Sequence, residues 1–103
     1  MPFAIVWSRR GDEDFERLAA ENPVAASHIL EQIDHLAADP VGLALPPSFP
    51  NPLLPKYAFW IPVEGGWWFV TVLFRYLEGE VSIEIRGIAR QFVPRDNPLA
   101  PPE

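Results

Sequence analysis

The order of segments predicts an α+β domain: an N-terminal strand, an αα-hairpin and a three-strand antiparallel meander. Three observations carry this expectation. Phe3-Ala4-Ile5-Val6-Trp7-Ser8 is a short apolar run that leads straight into helix-forming residues. Residues 12–38 then carry two apolar stripes at helical spacing, interrupted by Asn22-Pro23. From Tyr57 to Ile88 the composition shifts to aromatic and β-branched runs separated by two glycine-containing turns. A strand and a helical hairpin cannot enclose a core by themselves, so the hairpin's apolar side needs the later sheet to cover. The first strand is expected beside the third strand of the meander, giving four strands.

Each helix has its own start and stop signals. Ser8 is placed to cap the first helix, and Asp12, Glu13, Asp14 and Glu16 lie near its positive N-terminal end. These acids read as solvated helix-end charges, since they crowd one turn without the spacing of a calcium loop. Gly11, Phe15, Leu18 and Ala19 form the stripe that meets the sheet. Asparagine followed by proline at 22–23 restarts the chain as a second helix, with the missing N–H at a position that needs none. Its apolar face is Ala26, Ile29, Leu30, Ile33, Leu36 and Ala37, and Asp39-Pro40 ends it. An ordered irregular loop rich in proline follows over residues 40–56.

In the meander, Tyr57–Ile61 reads as a strand whose Pro62 suits an edge position. Glu64-Gly65-Gly66 is the first turn and Leu77-Glu78-Gly79-Glu80 the second, with Gly79 able to take positive φ. In the last strand, Val81, Ile83 and Ile85 alternate with Ser82, Glu84 and Arg86, which points the aliphatic set toward the helices. The central strand does not alternate. Trp67, Phe69, Thr71, Leu73 and Arg75 share one face, while Trp68, Val70, Val72, Phe74 and Tyr76 share the other. Helices cover one side of a sheet, so the second apolar face calls for the proline-rich loop, a second copy or a partner strand. Stacked bases also use exposed aromatics, but without a strong basic lining core or interface packing is the better use.

Length and charge bound the rest. At 103 residues the chain suits one domain, expected over 1–93, with residues 94–103 as a flexible or partner-binding tail. Net charge is −6, divided as −5 over residues 1–55, +1 over 56–95 and −2 beyond. That distribution argues against a general grip on nucleic acid. No cysteine is present, which removes disulfides, thiolate catalysis and thiolate metal ligands. His28 and His35 lie roughly 10 Å apart along one helix, too far to share a metal ion, and no cofactor is expected. The start shows no leader-like run, and Trp67–Phe74 is too short for a helical span, so a cytoplasmic location without a membrane partner is expected.

The succession of Phe3–Ser8, Asp14-Phe15-Glu16-Arg17-Leu18, Asn22-Pro23-Val24-Ala25-Ala26, the run from Ile29 to Pro40 and Ile83-Glu84-Ile85-Arg86-Gly87-Ile88-Ala89-Arg90 resembles the RelE/ParE superfamily of small bacterial toxins. The resemblance spans most of residues 3–92. It implies a toxin-like component of a type II toxin–antitoxin module whose partner is an antitoxin-like protein or peptide. The ribonucleases of that family use a basic cleft and an arginine in a Gly-aromatic-Arg motif. The matching Gly66-Trp67-Trp68 has Trp68 in the arginine's place. Arg90, or Arg86 in a shifted register, matches a late arginine, Phe92 stands where a tyrosine is common, and Lys56 is a thin version of the basic cleft. Other relatives inhibit gyrase and need no RNA-cleaving centre.

Two sets of site residues follow. Arg86 and Arg90, with Glu84 two positions from Arg86, are the candidate catalytic set, with Arg75 as a further phosphate-stabilising cation. Cleavage by a 2′-hydroxyl needs charge neutralisation and proton transfer, and an arginine, which does not readily give up its proton, serves only the first. Trp60, Trp67, Trp68, Phe74, Arg75 and Phe92 are the candidate partner-binding set. The expected function is target inhibition mainly by protein binding, with gyrase or the ribosome as targets and a homo-oligomer as a further assembly. A divergent ribosome-dependent mRNA endonuclease and a non-toxic interaction scaffold are the alternatives.

Overall fold

The computed structural model describes residues 2–47, 53–77, 79 and 81–101. Strand β1 (Ala4–Trp7) leads into α1 (Arg9–Glu21), α2 (Pro23–Ala38) and the single-turn α3 (Pro40–Leu43). Strands β2 (Lys56–Val63), β3 (Gly66–Tyr76) and β4 (Ser82–Pro94) follow. The sheet order is β1-β4-β3-β2. The meander is antiparallel throughout, whereas β1 lies parallel to β4, with Ala4 opposite Ser82 and Trp7 opposite Ile85. This is an α+β fold with a mixed four-stranded sheet.

The expected caps form. Ser8 Oγ accepts from the Gly11 N–H at 3.0 Å and Asn22 Oδ1 from the Ala25 N–H at 3.0 Å, each satisfying a donor that the helix leaves without a partner. Gly11 is required by contact: any Cβ there would run into the Ile85 carbonyl oxygen, so α1 can lie against β4 only with hydrogen at this position. The turns use Gly65 at φ 81° and Gly79 at φ 72°, a region that residues with a Cβ avoid.

Both helices cover one face of the sheet. Ile29, Ile33 and Leu36 of α2 and Leu18 of α1 join Ile61, Trp68, Val70, Val72, Phe74, Ile83, Ile85 and Ile88 in one core cluster. Burying each large aliphatic or aromatic side chain contributes about 1.5–3 kcal/mol, so this layer supplies the main favourable term. The Tyr57 hydroxyl fastens β2 to α2 by donating to Gln32 Oε1 at 2.8 Å, and the Phe3 N–H reaches the Ala37 carbonyl at 2.7 Å.

Several details depart from the sequence reading. Asp39-Pro40 does end α2, but Pro40 then opens α3 instead of an irregular loop. Asp39 caps that turn by accepting from the Gly42 N–H at 3.0 Å. The expected proline-rich loop at 40–56 includes residues 48–52, which lie outside the described residues. Leu30 and Val81, assigned to the apolar face, are exposed: Leu30 sits at the margin of the stripe, and Val81 precedes the strand. β4 runs on past Ile88 to Pro94 because its pairing with β3 continues to Gly66. The ladder slips once, between Leu73 opposite Gly87 and Phe74 opposite Ile85, leaving Arg86 as the extra residue of a bulge. The following residues 95–101 carry local turn hydrogen bonds, such as the Asn97 N–H to the Pro94 carbonyl at 3.0 Å.

Candidate interaction site

The bulge decides which β4 side chains meet the helices. Before it, Ile83 and Ile85 face them; after it, the alternation resumes on Ile88, Arg90 and Phe92. The Ile88 N–H, released from the β3 ladder, donates to Asp14 Oδ2 at 3.0 Å. Asp14 Oδ1 accepts from Arg17 Nη2 at 2.8 Å and Arg10 Nε at 3.2 Å. Burial would raise the Asp14 pKa, but the Ile88 N–H, Arg17 and Arg10 outweigh it and hold the carboxyl below its usual value.

This corrects the reading of Asp14 as a solvated helix-end charge. At 4% exposure it is a buried acid tying α1 to β4. A signal was present in the sequence. Asp14 falls inside the apolar stripe, three residues after Gly11 and four before Leu18, with Arg10 and Arg17 one turn to either side.

Around Asp14 opens a cleft of about 630 Å³ between α1 and β4, where Arg10, Arg17 and Glu21 face Arg86, Ile88 and Arg90. Arg90 pairs with Glu21 across it and lies over the Trp68 ring, 5.0 Å from the centroid. The Arg90 hydrogen bond lowers the Glu21 pKa against a smaller opposing effect of burial. Arg10 and Arg17 belong to this cleft, and sequence reasoning assigned neither of them to a site.

On the sheet face away from the helices, a second hollow of about 420 Å³ is bounded by Lys56, Phe69, Thr71, Leu73, Ala89 and Gln91. Trp60 and Phe69 stack across β2 and β3 with centroids 4.8 Å apart. Trp60, Trp67, Phe69 and Leu73 are each half-buried. Trp67 Nε1 is enclosed and has no hydrogen-bond partner among the described residues.

The expected partner-binding set divides between the two faces. Trp60, Trp67 and Arg75 lie on the open face, and Phe92 is exposed near the end of β4. Trp68 and Phe74 are corrected to core residues at 4% and 0% exposure, beyond the reach of a partner meeting the folded chain. The expected catalytic set divides as well. Glu84 accepts from Arg75 at 2.6 Å and from Arg86 at 3.0 Å, while Arg90 points to Glu21 on the opposite side of β4. The Arg86 and Arg75 hydrogen bonds lower the Glu84 pKa, which keeps its carboxylate ionised and unsuited to donating a proton near neutrality.

No described group of three or more histidine or acidic side chains is arranged to hold a metal, and no described helix is long and apolar enough to cross a membrane. Fold and site together define a small α+β domain with one helix-covered sheet face, one open apolar face and an arginine-lined cleft at their margin. No family model matches the chain, and no curated protein or solved structure does either.

Proposed function

We propose that this chain is the toxin-like component of a RelE/ParE-type toxin–antitoxin module and inhibits its target mainly by binding protein. The observation that carries the reading is the sheet face opposite the helices, where Trp60, Trp67, Phe69 and Leu73 remain half-buried, outside the helix-covered core. Aromatic side chains concentrated on such a face are suited to anchor a partner. The order of strand, helical hairpin and meander supports the family part of the proposal.

The endonuclease reading is weaker. Arg86 and Arg90 are tied to carboxylates on different sides of β4, and Glu84 is held ionised between two arginines. Neither arrangement gathers a nucleophile-orienting base and a proton donor around one phosphate.

Induced expression in bacteria tests the proposal. Growth should slow, Phe69→Glu should relieve the effect while the protein stays folded, and ribosome-bound mRNA should remain intact. A folded protein with no effect on growth would leave the non-toxic scaffold. Messenger cleavage that drops at least about tenfold in Arg90→Ala would instead establish the ribonuclease.

A further inference from the structure

Strand β1 shields only the first part of β4. Its ladder ends at Trp7 opposite Ile85, and the Ser8 N–H closes it by donating to the Ile85 carbonyl at 3.0 Å. Past the bulge, the Ile88 N–H points outward to Asp14. Antiparallel alternation then turns the Ile88 carbonyl and both backbone groups of Arg90 and Phe92 outward, away from β3. No hydrogen bond among the described residues meets them. Among the described residues this is an open strand edge, and α1 forms one wall of the groove beside it, with Leu54 also in the lining.

The groove is selective in charge. Arg10, Arg17, Arg86 and Arg90 line it against the carboxylates of Asp14 and Glu21, an excess of two positive charges in a chain whose net charge is −6. Each guanidinium carries five N–H donors. The existing ion pairs use Arg10 Nε, Arg17 Nη2, Arg86 Nη1 and Arg90 Nη2, so most donors stay free for a ligand. The Arg10 and Arg17 side chains are 77% and 66% exposed. The groove also continues past Leu73 and Ala89 into the apolar hollow at Phe69 and Thr71. A visiting strand would therefore meet cations on one side and apolar surface on the other.

We propose that the groove between α1 and the outer edge of β4 receives an acidic, extended segment of a partner protein, added as a strand along Ile88–Phe92. The inference rests on the protein-binding reading above and specifies where and how a partner attaches. Main-chain pairing supplies the register, and alternate acidic and apolar side chains supply the selectivity. RNA fits less well, because it cannot complete a β ladder and the rest of this acidic chain repels a polyanion.

Amide hydrogen exchange on the full chain tests this, using an alternating glutamate–valine octapeptide as probe. A lysine–valine octapeptide and an oligouridylate of similar length serve as controls. The acidic peptide should slow exchange at the Arg90 and Phe92 amides by at least about tenfold, leaving Ile88, already bonded to Asp14, little changed. Arg17→Glu should weaken peptide binding by at least about tenfold, and Arg86→Gln, on the facing wall, should weaken it in a variant that leaves the Asp14 pairs intact. Equal protection by both peptides, protection by the oligouridylate alone, or none at about millimolar peptide would overturn the proposal. So would protection of the same amides by dimerisation without any peptide. Growth assays keep the two claims apart: peptide binding without growth inhibition removes the toxin reading and leaves the groove standing, whereas growth inhibition without peptide binding does the reverse.

Discussion

The two faces of β3 are built from nearly the same kinds of residue and have different fates. Trp68, Val70, Val72 and Phe74 are buried beneath the helices, while Trp67, Phe69, Thr71 and Leu73 remain half-buried on the other side. Apolar character alone did not separate them. Only Ile29, Ile33, Leu36 and Leu18 did, by supplying a second layer to one face. The sheet is therefore stabilised mainly from one side, and the other side leaves half-buried aromatic residues for the partner proposed above.

Truncating the same residue type on each face is the strongest way to break this comparison. Phe74→Ala leaves a cavity in the closed core and should cost about 3–5 kcal/mol, enough to unfold a marginal domain of this size. Chemical denaturation would measure it. A loss below about 1 kcal/mol would mean that the helix layer does not close over β3 as described.

Next in size is the link between α1 and the sheet. Asp14→Ala strands the Ile88 N–H and frees two arginines, and should cost about 1.5–3 kcal/mol near neutral pH. The sign of its pH dependence follows from the lowered pKa. Asp14 binds its proton less readily when folded than when unfolded, so its contribution is fully present above the unfolded value of about 3.9. It disappears as pH falls through the lower folded value. Wild type and Asp14→Ala should therefore converge in stability only in strong acid, below about pH 4; convergence already at pH 6 would remove the buried-carboxylate account.

How far the sequence disclosed this arrangement depended on whether a feature was local. Capping by Ser8 and Asn22, the two helices and the turn glycines were legible because their signals sit within a few residues. The place of β1 beside β4 matched expectation, but its parallel direction was not read from the sequence, because it depends on how the chain passes from β1 through both helices to the sheet. The bulge was not legible, since Arg86-Gly87 continues the strand's composition and only pairing with Leu73 and Phe74 exposes the slip. That slip sends Arg90 to the helix side while Arg86 stays with Glu84, which is why one arginine cluster in the sequence becomes two separate sets of ion pairs. Trp68 and Phe74 were confused with surface aromatics for a related reason: the faces of a two-sided apolar strand cannot be assigned before the helices are placed.

On the open face, Phe69→Ala should cost only about 1 kcal/mol, because a half-buried ring loses part of the full burial term. For a domain of this length that is a fall in Tm of about 4–8 °C. Partner binding should suffer far more than stability if this face is an anchor. A stability loss equal to that of Phe74→Ala would show that both faces belong to one closed core.

The smallest expected effect sharpens the comparison at its margin. Arg90 combines a partly exposed ion pair to Glu21 of α1 with a position over the Trp68 ring. An exposed pair of this kind is weak and screened by salt, while a cation over an aromatic ring contributes about 0.5–1 kcal/mol at such a site. Arg90→Ala should therefore lower stability by about 1 kcal/mol, of which the ion-pair part fades at high salt and the ring contact persists. Arg90→Lys keeps the charge but loses the planar stacking surface, so it should recover the salt-sensitive part alone. If lysine restored full stability, the ring contact would carry no weight, and Trp68 would owe its burial entirely to the helices.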